Sequence, residues 1–128
     1  MKFAIQITSS PYHANTGLTA YRFIQAALAA HHEIIRVFFY HDGIYHAFKY
    51  LMPPDDEFNL TQHWTELANK HQLDLVVCIS AAQRRGLLHS DEAQRQGKLD
   101  NDLADGFRIS GLGQLLEATL LADRFIVF

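Results

Sequence analysis

The chain has 128 residues, of which 48% are hydrophobic and 20% charged, a composition suited to one domain with an apolar core. Eleven Lys and Arg against fourteen Asp and Glu leave a formal net charge of −3, so no overall basic field draws the chain to nucleic acid. The single cysteine excludes an internal disulfide, and with it a disulfide-stapled secreted scaffold.

The opening stretch Met1–Thr8 carries one positive charge and an apolar run too short for a signal-peptide core. No apolar run approaches the roughly 20 residues that span a bilayer, so a soluble cytoplasmic protein is expected. Phe3–Ile7 reads as a first strand, buried on both faces. Ala20, Phe23, Ile24, Ala27 and Leu28 then recur at helical spacing, an amphipathic stripe ending near His31 and His32. Ile34–Tyr40 is the second strand. It is followed by a loop, His41–Ala47, and a clear loop marker at Pro53–Glu57. Asn59-Leu60-Thr61-Gln62 resembles a capping box, after which Trp64, Leu67 and Ala68 face one way. Leu73–Ile79 is the third strand, and Ser80-Ala81-Ala82-Gln83 offers a second capping box for a short helix ended by Gly86. The polar stretch Gly97–Gly106 is expected to wrap the surface, and Phe107-Arg108-Ile109 adds a fifth, very short strand. Ser110 is the expected cap of a last helix buried through Leu112, Leu115, Leu116 and Leu120, and Phe125–Phe128 is the final strand.

This alternation predicts the α/β class: a single domain, residues 1–128, with a mostly parallel sheet of four to five strands flanked by helices in Rossmann-like layers. Open parallel sheets bind ligands beyond the carboxyl ends of their strands. Three segments converge there: Thr8–Asn15, His41–Ala47 and Cys78–Arg85. A thiol between a strand end and a helix start lies near the positive pole of the helix, which favours the nucleophilic thiolate. Free cysteine is also among the most buried residue types, so a packing role stands beside the reactive one.

Other chemistries find less support. His13, His41 and His46 lie on loops that can approach Cys78 as a base, but no spacing fixes such an approach, and plain surface solvation is the reading expected for them. Neither zinc-ligand spacing nor a helical HExxH motif occurs, so no metal is expected. Gly111-Leu112-Gly113 lacks the remaining features of a phosphate loop, and no cofactor is expected. Arg84 and Arg85 can lower a nearby thiol's pKa, pair with a partner's carboxylates, or form a solvated face. Tyr45, Phe48 and Tyr50 can cover the cysteine, join a subunit contact or pack into the core.

Several segments together resemble one family. Phe38–Ala47, Cys78–Gly86, the Ser110-Gly111-Leu112-Gly113 motif within Phe107–Leu115, and Ala122-Asp123-Arg124 before the last strand are similar to the DsrE/TusD family of sulfur-relay proteins. The chain is nearest that family's cysteine-bearing, TusD-type subunits. The resemblance implies a cytoplasmic sulfurtransferase in which Cys78 alone matches the catalytic residue. It also implies a persulfide sulfur arriving from a TusA-like donor and leaving for a TusE-like acceptor, ending in 2-thiouridine at the tRNA wobble position. Assembly with TusB-like and TusC-like subunits in a heterohexamer follows from it too, with no membrane and no direct tRNA contact expected. Two alternatives stay open: DsrE-type sulfur trafficking in dissimilatory sulfur oxidation, and a non-catalytic assembly subunit of the same complex.

Overall fold

The computed structural model describes Met1–Phe128. Five parallel strands form one sheet: β1 (Lys2–Ile7), β2 (Glu33–Phe39), β3 (Leu75–Cys78), β4 (Phe107–Ser110) and β5 (Arg124–Val127), in the spatial order β4-β3-β2-β1-β5. The apolar runs account for this, since strands flanked by neighbours on both sides bury Ile, Val and Phe on both faces. The expected fold class holds, and the short fifth strand is real.

Five helices cover the sheet: α1 (Thr16–Ala29), α2 (Leu60–His71), α3 (Ile79–Arg84), α4 (Ser90–Arg95) and α5 (Gly113–Leu121). Asn59 caps α2 as its sequence suggests, its side chain accepting from Gln62 N at 3.1 Å. Gly86, at φ +82°, follows the end of α3. Three differences matter. His41–Ala47 is a compact 3-10 turn rather than an open loop, with Gly43, Ile44, His46 and Ala47 buried. The short helix α4 lies in a stretch that carries no apolar periodicity. Both serine caps fail: α3 starts at Ile79 with Cys78 in the cap position, and α5 is capped at Leu112, leaving Ser110 in β4.

The chain moves one way across the sheet from β1 to β4, then returns through α5 to the opposite edge. Right-handed crossovers therefore put α1 and α2 on one face and α5 on the other. On the first face Phe3 meets Phe23 of α1 at 5.3 Å and Phe39 meets Trp64 of α2 at 5.5 Å, both edge-on. On the second, Arg36 of β2 is buried against α5. It bonds to Gln114 O at 2.8 Å and to the Asp74 carboxylate at 2.5 Å, while Arg108 of β4 holds the same carboxylate at 2.7 and 2.9 Å. Burial pushes the Asp74 carboxyl up, but the hydrogen bonds from Arg108 and Arg36 outweigh it and hold it below the usual carboxylate range.

The last helix contradicts the buried stripe expected of it. Leu115 packs against the core and Ala118 is buried, but Leu112, Leu116 and Leu120 are 48, 62 and 77% exposed. Leu121 joins them, as do Phe125 and Val127 of the edge strand β5. A helix that is apolar on both sides cannot be covered by one sheet; the stripe at i, i+4 and i+8 is the outer one.

Candidate active site around Cys78

Cys78 ends β3 in extended conformation, φ −61° and ψ 123°, and occupies the cap position of α3. It stands at the carboxyl edge of the sheet, as expected, and is the chain's one thiol. Its exposure is that of the packing role rather than of an open thiol. At 1% it is sealed into the apolar core cluster, where the transfer chemistry calls for an open thiol. The physical reason is β3 itself: Leu75, Val76, Val77 and Cys78 are all buried, since this central strand is covered on both faces. Both β3 and α3 pack against the 3-10 turn His41–Ala47.

Arg85 does not serve the thiol. It donates through Nε and Nη2 to Asp42 Oδ1 at 3.0 and 2.9 Å, and through Nη1 to Ala81 O at 3.0 Å, strapping the end of α3 to the start of the turn. Arg84 is exposed. The aromatic group divides: Tyr45 and Phe48 stack on each other, half-buried, whereas Tyr50 is exposed and donates to Asp100 Oδ2.

The loop histidines separate just as clearly. His13 and His41 are exposed, with His41 stacked on Tyr40 at 4.0 Å. His46 is fully buried and engaged at both nitrogens: Nε2 donates to Ser9 O at 3.0 Å and Nδ1 accepts from Trp64 Nε1 at 3.2 Å. Burial lowers its pKa to about 4, against a smaller raising effect of the Ser9 bond, so the ring is neutral at physiological pH. A ring with both nitrogens committed cannot take a proton from Cys78. His46 instead ties the turn to the loop after β1 and to α2. Gly17 makes room for it, since a Cβ there would lie 2.4 Å from His46 Cε1.

The main clefts lie elsewhere. One is lined by Tyr12, Leu18 and Phe58, another runs from Pro53 to His63, and Cys78 lines neither. Neither cleft reaches the thiol.

The chain matches the DsrE/DsrF-like family over residues 1–128, and it belongs to that family. It is 50% identical to a sulfurtransferase named DsrE from Allochromatium vinosum, covering 100% of this chain and 98% of that one. It is 47% identical to a sulfurtransferase TusD homolog of Pseudomonas aeruginosa and 39% identical to one of Vibrio vulnificus, again over all of this chain and 97 and 98% of theirs. By class, then, the chain is a sulfurtransferase of the TusD/DsrE kind. The crystal structure of the ychN protein from E. coli shares the fold, with a TM-score of 0.80 at 21% identity over 100% of this chain and 99% of that one. No helix is long and apolar enough to cross a membrane.

Proposed function

We propose that this chain, acting as one sulfurtransferase domain, carries sulfur on Cys78 as a persulfide between two partner proteins. The Cys78 thiolate attacks the outer sulfur of a donor persulfide; the donor's S–S bond breaks and its electron pair leaves on the donor thiolate. An acceptor thiolate then attacks the outer sulfur of Cys78–S–SH and releases the Cys78 thiolate. Both steps are thiol exchange without net oxidation, and neither needs a metal or a second cysteine in the chain. The observation that carries this reading is the position of the chain's one thiol, at the carboxyl edge where β3 passes into α3.

In the fuller form of the reading, a TusA-like protein donates and a TusE-like protein accepts. The sulfur ends in wobble-position 2-thiouridine, in the cytoplasm and without tRNA contact by this chain. TusB-like and TusC-like subunits complete a heterohexamer. Support for the assembly comes from Leu112, Leu116, Leu120, Leu121, Phe125 and Val127, which gather on the α5 face of the sheet. This exposed apolar surface is on the order of several hundred Å², the size that marks an interaction site. The sulfur-oxidation alternative draws on the DsrE-named relative, whose 50% identity stands beside the 47% of the Pseudomonas TusD homolog.

A second reading has its own observation. The burial of Cys78 suits a non-catalytic assembly subunit whose cysteine merely packs. Incubation with a persulfide donor followed by intact-mass measurement separates the two. The relay predicts one added sulfur on the wild type and none on Cys78→Ala, with Cys78→Ser still folded. A wild-type chain that gains no sulfur in the presence of its sister subunits contradicts it.

A further inference from the structure

The geometry points to Ser110 as a second residue of the transfer reaction, donating its hydroxyl hydrogen to the Cys78 sulfur while that sulfur carries negative charge. This inference rests on Cys78 being the sulfur carrier. Parallel pairing of β3 with β4 sets Cys78 directly opposite Ser110. Partners on adjacent strands lie about 4.8 Å apart across the ladder, and in register their side chains leave on the same face. Arg108, two residues before Ser110, meets Asp74 and Gln114 on the α5 face, so the two-residue period puts Ser110 and Cys78 on that face as well.

The Ser110 hydroxyl is bonded to no group in the resting chain, Cys78 included, so it is free to turn to the sulfur when charge develops there. The helix it was expected to cap starts at Gly113 with Leu112 in the cap position and takes no side-chain bond. Ser110 is half-buried while Cys78 is 1% exposed. A Cβ built on Gly111 or on Gly113 meets nothing within 4 Å, which leaves open space beside Ser110. Two rival polar groups are spent. His46 is bonded at both nitrogens and Arg85 is held by Asp42. Tyr40, which extends β2 on the other flank, stacks its ring on His41.

The need arises when the persulfide is discharged. As the acceptor thiolate bonds to the outer sulfur, the S–S bond to Cys78 breaks and its electron pair passes to Sγ, the leaving group. Exchange speeds up as the leaving thiolate is stabilised. A donor aimed at charge that develops away from water contributes far more than it does in solvent.

The test is the single-turnover discharge of the persulfide-loaded full chain to dithiothreitol. Loss of one hydrogen bond to a charged sulfur predicts that Ser110→Ala discharges about tenfold more slowly, and that Ser110→Thr, which keeps the hydroxyl, stays within about threefold of wild type. Ser110→Val differs from Ser110→Thr by the hydroxyl alone, so their rate ratio gives the same reading if the alanine variant does not fold. An alanine variant as fast as wild type, or Thr and Val variants of equal rate, overturns the assignment. Cys78→Ala run in parallel separates the two claims. A Cys78→Ala chain that still loads sulfur removes the carrier reading itself. One that loads none beside a normal Ser110→Ala removes only the role of the serine.

Discussion

The two faces of the sheet are finished differently. Against α1 and α2, Phe3, Phe39, Trp64, Tyr21 and the buried His46 interlock edge to face, and Ile5, Ile7, Val37, Leu75 and Val77 are fully buried beneath them. Against α5, one helix spans the sheet. It is pinned by Arg36, Asp74, Arg108 and Gln114 and leaves leucines pointing outward beside an unpaired edge strand. The chain closes the first face by itself. The second is closed only in part, and it is the face to which the strand register assigns Cys78 and Ser110. On the proposed relay, recognition and chemistry would share the incomplete side.

The contrast breaks most sharply at the glycines of the closed face. A Cβ at Gly43 would lie 2.1 Å from Ile7 O, a backbone atom that cannot give way; a Cβ at Gly17 would strike the buried His46 ring. Gly43→Ala is expected to cost about 3 kcal/mol or more, and Gly17→Ala about 2 kcal/mol, measured by urea unfolding.

The pH dependence sharpens the same point. His46 has a folded pKa near 4 against about 6.5 when unfolded. Between those values the unfolded chain binds a proton that the native chain refuses. Stability is therefore complete above pH 6.5 and falls as the pH drops toward 4, by about 3 kcal/mol for this one ring. Asp74, depressed below its usual range, adds its loss only at lower pH, as its own carboxyl takes a proton. Urea midpoints across pH 4–7 should drop for wild type and stay flatter for His46→Gln.

On the open face the effect on stability is the smallest and the effect on assembly the largest. Leu116→Glu combined with Leu120→Glu should leave the unfolding free energy within about 0.5 kcal/mol, since both side chains are already exposed. The same pair should abolish co-purification of partner subunits. Unchanged co-purification would remove α5 from the interface.

Much of this was legible in the sequence, and the failures have physical causes. Short apolar runs located β1, β2, β3 and β5 and put Cys78 at a strand end, while β4 showed only as the brief Phe107-Arg108-Ile109. Periodicity cannot say what covers a stripe: Leu112, Leu116 and Leu120 recur like core residues although this chain covers none of them. The serines at 80 and 110 look alike as caps, but strand pairing keeps Ser110 in β4 and an early helix start puts Ser80 inside α3. His46 looked like a solvated loop residue because nothing local signals a 3-10 turn that folds it between Ser9 and Trp64. Arg36 did leave a trace. A lone charge inside an apolar strand demands a partner of opposite charge, and the half-buried Asp74 supplies it.

The whole account turns on whether partners can reach a sulfur that the single chain keeps covered. The direct measurement is the rate at which iodoacetamide modifies Cys78 in the purified native complex, read by peptide mass spectrometry beside the isolated chain and an unfolded control. The account predicts ready labelling in the complex, well above the slow labelling of the isolated chain. A Cys78 that stays unlabelled in the native complex, yet reacts at once when the protein is unfolded, would contradict it.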